Sequence, residues 1–320
     1  MRVRFVLAGL LITGTVSAAE LPGPVVTVDW LAQNLDRVQV VQVHAPDLFT
    51  AQPQYKKDEK SGQTKLVDVG GHIPGALFVN PKKMRTERQI GDLKVKYLLP
   101  PAAEFTQFVQ ANGIQAGKPI VLVPTGTSPD EFNDAARLYW QFKYYGEKDI
   151  AILDGGLAAW IQAGQKVEST PVKAQPGNWQ PQGENPSILA TSEDVAAGKA
   201  QLVDARPISM AFGYTKRDYV YDYGHIAGAK VFPPELHTIQ KGIAHHLLSA
   251  ETYTKVFQAM GIDPKAPSIT YCNSGHLSSG PWFILHEVMG NPNVELYDGS
   301  LHQWTLEKRP LVSLIPHGSR

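Results

Sequence analysis

The chain has 320 residues, of which 43% are hydrophobic and 19% are charged. This composition is typical of a folded protein, and the length indicates two domains. The 30 basic and 30 acidic residues balance, and no long charge run appears, so charge gives no support to binding of nucleic acid or of an anionic membrane.

The first 19 residues have the pattern of a secretory signal peptide. Arg2 and Arg4 provide a basic start, an apolar run covers 5–12, and small residues around Ala18 offer a cleavage site. The apolar run is too short to span a membrane as a helix. We therefore expect a mature protein that is exported, into a bacterial periplasm; a buried N-terminal helix is the alternative.

Four segments of the chain recur in the same order. GGHIPGALF recurs as YGHIAGAKVF, ILDGGLAAW as LYDGSLHQW, VVQVHAP as LVDARP and PIVLV as PSITY. This repetition predicts a duplicated domain, with copies at 25–165 and 188–312. The intervening segment, 166–187, is rich in Pro, Gly, Gln and Asn and has no periodicity, which indicates a linker.

Strand-like and helix-like segments alternate within each copy. Short apolar, β-branched runs predict strands at 38–43, 120–123, 150–153, 201–203, 268–271 and 294–297. Helical patterns lie between them, at 102–112, 133–145, 250–260 and 281–289. The alternation predicts an α/β fold with a parallel sheet and helices on both faces, in which ligands bind at the carboxyl ends of the strands.

Cys272 is the only cysteine, and it directly follows the predicted strand 268–271. An unpaired thiol in an exported chain is an intermolecular link, a reactive group or an inert buried side chain. A tight loop before a helix aims several backbone N–H groups at one point, which binds anions and favours a thiolate. The candidate ligands in this loop are Asn273, Ser274, Gly275, His276, Leu277 and Ser278. Gly275 would also let the backbone turn where a Cβ would clash.

The paired GHIPGA and GHIAGA segments, the paired DGG…W and DGS…W segments and the strand–Cys–loop–helix arrangement resemble tandem rhodanese-type sulfurtransferases. The resemblance covers 25–311, nearly all of the mature chain. It implies two similar α/β domains, each with a parallel five-stranded sheet. The first domain would be catalytically silent, because Pro124-Thr125-Gly126 stands where the second has its cysteine loop.

The resemblance also implies a mechanism. The Cys272 thiolate would take the outer sulfur of thiosulfate or a related donor, release sulfite and pass the sulfur to cyanide or a thiol, which is covalent catalysis. Backbone donors of residues 273–278 would hold the transferred sulfur. Arg206, in VDARP, would bind the substrate anion, or alternatively be a surface arginine paired with Asp204 or Asp218; Lys216 and Arg217 would add cations in the following loop. No metal or organic cofactor is expected; the partners would be small sulfur compounds or a periplasmic acceptor protein.

The sequence departs from the mercaptopyruvate-specific members of this family. Those have Cys-Gly-Ser-Gly and use an aspartate and a histidine from the first domain. Here Asn273 follows the cysteine, and Asn80 and Tyr97 stand at the other two places. Neither side chain is an acid–base group near neutral pH, which argues against that substrate.

Several other polar residues admit two readings. Protonated His276 would add a cation to the loop, or it would be a solvent-facing histidine at a helix start. His72 and His225 recur in both copies, which favours hydrogen bonding of the ring to backbone over catalysis. Arg137 is expected to be a buried or interdomain hydrogen-bonding residue. A metal site using His276 with His245 and His246 is not expected, because no spacing rule joins them.

Two rival functions remain in view. A cysteine phosphatase needs an arginine at the sixth position after its cysteine to clamp phosphoryl oxygens, and Ser278 occupies that position. A non-catalytic carrier that holds a persulfide for one dedicated protein would have the same loop as an enzyme, so that alternative stays open.

Overall fold

The computed structural model describes residues 18–57, 59–60 and 62–316. The predicted signal peptide lies outside these residues except for Ala18 and Ala19. Within the described ranges, no helix combines the length and apolar character needed to cross a membrane.

Two five-stranded parallel sheets form the framework, one in each half, as predicted. The strands of the first half are β1 Val25–Val26, β2 Gln39–Val43, β3 Gln54–Lys57, β4 Thr64–Asp68, β5 Leu77–Val79, β6 Thr86–Ile90, β7 Leu93–Leu98, β8 Ile120–Pro124 and β9 Ile150–Leu153. Those of the second half are β10 Leu189–Ala190, β11 Gln201–Asp204, β12 Lys230–Val231, β13 Ile239–Lys241, β14 Ala244–His246, β15 Ser268–Tyr271 and β16 Val294–Tyr297. The sheet orders are β1-β9-β8-β2-β5 and β10-β16-β15-β11-β12, so β8 and β15 are the central strands.

Helices cover both faces of the sheets. They are α1 Val28–Asn34, α2 Ala102–Ala111, α3 Pro129–Tyr144, α4 Gly156–Gln162, α5 Ser192–Ala196, α6 Ile208–Ala211, α7 Ala250–Ala259, α8 Ser279–Phe283 and α9 Ser300–Leu306. Short 3₁₀ turns occupy Pro46–Thr50, Pro81–Lys83, Pro186–Ile188 and Pro234–Leu236, and a π-helical turn occupies Ile284–Val288.

One apolar core joins the two halves. Helices α3 and α8 lie between the sheets, and the ring of Phe283 meets Phe132 and Tyr139 edge-on, at centroid distances of 5.8 and 4.8 Å. The same buried cluster contains side chains from both parallel sheets, such as Leu122 from the first and Leu296 from the second. Because apolar burial is the main stabilising contribution, the halves pack as one body.

Helix boundaries differ from the sequence prediction at two places. Helix α3 begins at Pro129 rather than 133, because Ser128 and Glu131 form a capping box and Pro129 suits the first helical position. The predicted helix at 281–289 begins earlier, at Ser279, and changes from α to π geometry after Phe283.

Each domain extends one hairpin to the other domain: the first domain extends β6–β7, and the second extends β13–β14. The amide of Leu99, after β7, donates to Asp298 Oδ2 at 2.7 Å. The amide of Leu247, after β14, donates to Asp154 Oδ1 at 2.8 Å. Asp154 and Asp298 are the equivalent aspartates of the repeated DGG and DGS segments, so each domain binds the same place on its partner domain.

The segment 166–187, predicted as a linker, packs against the first domain. His72 N donates to Glu168 O at 2.6 Å, and Trp179 is buried with its ring edge-on to Phe105 at 5.6 Å. The ring of His72 also bonds Thr170 O, at 3.0 Å. His225 bonds Ala211 O at 2.8 Å, and both repeated histidines therefore bind backbone, as predicted.

Candidate active site

Cys272 lies at the carboxyl end of the central strand of the second sheet. It is 1% exposed and unpaired. Gln39 pairs with Ile120 in the first sheet and Gln201 with Ser268 in the second. Pro124 lies four residues after Ile120, and Cys272 lies four residues after Ser268. Pro124 and Cys272 therefore occupy equivalent positions in the two domains.

Ser300, the first residue of α9, fixes the start of the cysteine loop. Its Oγ accepts hydrogen bonds from the amides of Cys272 and Gly275, both at 3.0 Å, and donates to Tyr297 O at 2.8 Å. Ser300 adopts a left-handed conformation with φ of 48°, which is strained for a residue other than glycine. The loop contacts explain why that strain is tolerated.

Gly275 is required by the turn of the loop, as predicted. Its φ is 71°, and a Cβ there would lie 2.8 Å from Asp298 Oδ1 and 2.9 Å from Arg137 Nη1. The backbone donors of 273–278 were expected to hold the transferred sulfur. The Gly275 amide is an exception, because it donates to Ser300 Oγ.

Five other loop amides have no acceptor among the described residues. They belong to Asn273, Ser274, His276, Leu277 and Ser278. Unpaired backbone N–H groups gathered in one turn stabilise an anion. The Ser278 hydroxyl donates to the Cys272 sulfur at 3.7 Å, which adds a donor at the sulfur itself.

The loop opens into a cavity of about 340 Å³ between the two domains. Asn273, Ser274, His276 and Leu277 line it together with Cys272. Four of the six predicted ligands of the loop are thus brought to one space, whereas Gly275 and Ser278 do not line the cavity. The first domain supplies part of the opposite wall, including Arg85, Asp130, Glu131 and Asp134.

Arg85 is a site residue that sequence reasoning missed. Its Nη1 donates to the carbonyl and hydroxyl oxygens of Ser274, both at 3.3 Å, and its guanidinium lies 5.1 Å from the ring centre of Tyr97. Burial, and then the nearby Arg137, lower the pKa of Arg85 from its usual range, but an arginine still stays charged at neutral pH. Arg85 lies outside the repeated segments, so no sequence signal marked it.

Arg217 and Tyr219 complete the group of donors in the cavity. Burial raises the pKa of the Tyr219 phenol, so it remains protonated and able to donate at neutral pH. Of the two cations predicted in this segment, Lys216 and Arg217, only Arg217 lines the cavity. The amine of Lys216 donates to Val220 O at 2.8 Å instead.

Arg137 is a buried interdomain residue, as predicted. It is 0% exposed, and its Nη1 lies 2.9 Å from Gly275 O and 2.6 Å from Asp298 Oδ1. Because Asp298 also accepts from the Leu99 amide, the first domain holds the cysteine loop through a charge-assisted network.

Arg206 takes a different place from the one expected for an anion-binding residue. It is 1% exposed, and it donates to Asp204 through Nε at 2.8 Å and through Nη2 at 2.5 Å. Nη2 also donates to Gly224 O at 2.8 Å. Asp204, two residues earlier, binds the guanidinium group. The arginines that line the cavity are Arg85 and Arg217 instead.

His276 does not supply the cation considered from the sequence. Burial lowers its pKa from 6.5, and although Asp134 raises it, Arg85 and Arg137 lower it further. The imidazole is therefore neutral at pH 7. Its Nε2 lies 3.2 Å from Asp134 Oδ1, with 21% of the side chain exposed, so it faces the first domain rather than bulk solvent.

The remaining candidate positions have structural partners. Asn80 Oδ1 caps the turn Pro81–Lys83. Tyr97 stacks obliquely on Tyr219 at 5.0 Å. His246 pairs with Asp154 of the first domain at 2.8 Å, and His245 bonds Thr238 Oγ1 of its own domain at 3.1 Å.

The geometry provides a nucleophile and a receptor for negative charge. A single thiol lies in a turn of unpaired amides, beside two arginines and a phenol donor. Such donors stabilise a charged adduct on sulfur and the charge that develops during its formation.

Comparison with known proteins identifies the same organisation. The family model described as the Rhodanese-like domain matches residues 27–163 and 190–307. A protein named sulfur carrier protein TtuD, from Thermus thermophilus, is 28% identical over 88% of this chain and 94% of its own length. A thiosulfate sulfurtransferase from Gallus gallus is 27% identical over 78% and 83%.

Solved structures agree at the level of the fold. A persulfide form of EanB with ergothioneine superposes with a TM-score of 0.72 over 92% of this chain and 71% of that chain, at 18% identity. A complex of EanB with hercynine gives the same TM-score at 19% identity, over 92% and 70%.

Proposed function

The chain belongs to the rhodanese-like family as a tandem sulfurtransferase, and from that premise we propose that it moves sulfane sulfur from thiosulfate or a related donor to cyanide or a thiol through a persulfide on Cys272. The observation that carries the proposal is the cysteine turn itself. Its thiol is the only one in the chain, and five amides of the turn that follows it have no acceptor among the described residues.

In the first half-reaction, the Cys272 thiolate attacks the outer sulfur of thiosulfate. The sulfur–sulfur bond of the donor breaks, and sulfite leaves with the electron pair. Arg85 and Arg217 line the cavity and are suited to hold the sulfonate oxygens. The loop amides and the Ser278 hydroxyl, 3.7 Å from the sulfur, would then hold the persulfide.

In the second half-reaction, a nucleophilic acceptor attacks the outer sulfur of the persulfide. The bond to Cys272 breaks and the thiolate is regenerated. Neither half-reaction needs a metal or an organic cofactor, because sulfur bears the charge throughout.

Mass spectrometry of thiosulfate-treated protein tests the proposal. We expect one added sulfur atom on Cys272, and steady-state turnover with thiosulfate and cyanide. Cys272→Ser should lose both while keeping its circular dichroism spectrum. Sulfur found on another residue, or turnover that survives this substitution, would contradict the assignment.

A dedicated persulfide carrier is the second candidate, favoured by the relative named as a sulfur carrier protein. The same turnover assay separates the two functions. Many turnovers per protein indicate an enzyme, whereas a single stoichiometric transfer to cyanide indicates a carrier.

We also propose that the mature protein acts after export to the periplasm. The basis is the charged start, apolar run and small residues of 1–19. Cell fractionation and N-terminal sequencing of the mature protein test this. A protein that is found in the cytoplasm and still begins at residue 1 would overturn the proposal.

A further inference from the structure

The hairpin β6–β7 of the first domain contains a β-bulge close to the cysteine cavity. Thr86 pairs with Leu98 and Arg88 pairs with Val95, so one residue of β6 lies opposite two residues of β7. The second of those two is Tyr97. A bulge of this kind re-aims a side chain, and bulges are frequent next to active sites.

The backbone of Tyr97 is left-handed, with a φ of 67°. A bulky side chain rarely adopts this conformation, which persists only where the surroundings fix it. Two other described residues besides the glycines share it, Lys308 and Ser300. Lys308 follows the end of α9, where a left-handed residue commonly terminates a helix, and Ser300 holds the cysteine loop. The conformation of Tyr97 calls for an explanation of its own.

The ring of Tyr97 contacts two residues that line the cysteine cavity. The guanidinium carbon of Arg85 lies 5.1 Å from the centre of the ring, and the ring of Tyr219 lies 5.0 Å from it. Tyr97 itself does not line this cavity. Its hydroxyl makes no hydrogen bond to the part of the chain that the structure describes, so the ring provides the contacts.

Arg85 is held at the cavity wall by contacts that leave its charge uncompensated. Its Nη1 donates to two oxygens of Ser274, both at 3.3 Å, and no carboxylate in the described ranges lies within ion-pairing distance of it. Ordering such a long side chain costs rotamer entropy, and an aromatic face attracts a guanidinium. The ring of Tyr97 therefore orients Arg85 without neutralising it, as a receptor for an anion requires.

The equivalent hairpin of the second domain has neither the bulge nor the left-handed residue. Leu99 and Leu247 correspond, because each donates its amide to the repeated aspartate of the other domain. Tyr97 and His245 lie two residues before them. The pairing of β13 with β14 has no register shift, and His245 is not among the described residues with positive φ. Both features thus belong to the hairpin that reaches the cysteine loop.

We propose that Tyr97 is a positioning residue for the sulfur donor: its ring, placed by the bulge, orients Arg85 so that the guanidinium binds the sulfonate of thiosulfate. The inference rests on the proposed function and deepens it, because it assigns the selection of an anionic donor to a residue of the first domain.

Tyr97 would act in the first half-reaction alone. There the Cys272 thiolate forms a bond to the outer sulfur of thiosulfate, the sulfur–sulfur bond of the donor breaks, and sulfite leaves with the electron pair. No proton is transferred, so Arg85 has only to hold the sulfonate oxygens. The second half-reaction begins after the sulfonate has left.

Separate measurement of the two half-reactions tests the proposal. Quenched-flow mass spectrometry gives the rate at which thiosulfate loads sulfur onto Cys272, and the rate at which the loaded protein passes it to cyanide. Tyr97→Asn removes the ring and suits a left-handed backbone, whereas Tyr97→Phe keeps the ring. The matched control is Lys308→Asn, the same replacement at a left-handed position that does not line the cavity.

Loading should depend on the ring. We expect it to be about tenfold slower in Tyr97→Asn, the size of a desolvated cation–π contact. Tyr97→Phe should stay within about threefold of the wild type, because phenylalanine keeps most of the attraction. Transfer to cyanide should be unchanged in both variants, since cyanide has no sulfonate, and Lys308→Asn should match the wild type in both half-reactions.

A double-mutant cycle tests whether Tyr97 acts through Arg85. In an Arg85→Met background, Tyr97→Asn should slow loading by less than about twofold more, because residues that act together are not additive. The same loss in both backgrounds would overturn the positioning role.

Unchanged loading in Tyr97→Asn would also overturn the inference, and so would equal slowing of loading and transfer, which would indicate damage to the cysteine turn. Either result leaves the persulfide chemistry intact. If the wild-type protein takes up no sulfur from thiosulfate on Cys272, the proposed function itself fails, and the wild-type measurement distinguishes that outcome from the others.

Discussion

The cysteine loop of the second domain and its counterpart in the first share a backbone plan but differ in a few side chains. Pro124 stands for Cys272, and Gly156 stands for Ser300. Both members of the second pair have positive φ, 58° and 48°. In both domains the aspartate of the repeated segment accepts an amide from the other domain's hairpin. The duplicated scaffold is therefore not the catalyst; the chemistry lies in the residues placed on it.

The largest expected effect comes from moving the cysteine to the other loop. In a Cys272→Ser background, Pro124→Cys should restore less than about one-thousandth of the activity, because the first loop lacks the Ser300 hydroxyl and the two arginines. The thiosulfate–cyanide assay measures this. Substantial recovery would mean that a thiol at this strand end suffices, and that the surrounding donors matter little.

Removing the buried cation that joins the domains should have the next largest effect. Arg137→Met leaves Asp298 buried without its ion pair, which costs about 3 to 5 kcal/mol. Urea unfolding measures the loss. The matched control is His246→Ala at the mirror contact with Asp154, where the side chains are 20% and 28% exposed; such a pair contributes about 1 kcal/mol or less. Equal losses would contradict the asymmetry of the two contacts.

Acid sensitivity should also separate the two halves. His237 ends the turn Pro234–Leu236, and Met84 ends the equivalent turn Pro81–Lys83; both side chains are 0% exposed. Burial lowers the pKa of His237 from 6.5 to about 4. The unfolded chain therefore binds more protons between these pH values, and stability falls as the pH drops from 6.5 towards 4.

His237→Met should remove that acid-dependent loss, which amounts to about 3 kcal/mol at pH 4. The measurement is the free energy of unfolding at pH 7 and at pH 4 for the variant and the wild type. An unchanged difference between the two pH values would show that another group causes the acid sensitivity.

The smallest effect should follow from giving the second domain the glycine of the first. Ser300→Gly relieves left-handed strain of about 1 kcal/mol but removes the acceptor of the Cys272 and Gly275 amides. We expect stability within about 1 kcal/mol of the wild type and kcat/KM about tenfold lower. The reciprocal Gly156→Ser should destabilise the first domain, because its Cβ would collide with Pro124 O.

The sequence was sufficient to predict the scaffold and the nucleophile. Apolar runs and repeated motifs predicted both sheets, and the lone Cys272 after a central strand marked the loop. These features are local in sequence, because strand periodicity and turn residues act over a few positions. The Gly275 turn was predictable for the same reason.

The residues that complete the site were not predictable, because they come from the other domain. Arg85 and Asp134 are about 140 to 190 positions from the loop they face, by subtraction, and no local pattern encodes that contact. For Arg206 the resemblance indicated substrate binding, whereas the structure shows the alternative, an ion pair with Asp204 two residues earlier. The change from DGG to DGS in the repeated segment distinguished Ser300 from its counterpart Gly156. That the Ser300 hydroxyl accepts from the loop amides could be seen only from the backbone geometry.

The reciprocal hairpins have a consequence for how the protein unfolds. Each domain completes a hydrogen bond in the other, buried at Asp298 and partly buried at Asp154, and one apolar cluster runs through both. Loss of either domain would leave its neighbour with an unsatisfied aspartate and an exposed apolar face. The two domains are therefore expected to melt in a single cooperative transition, so that the copy without a cysteine is a thermodynamic part of the copy that carries Cys272.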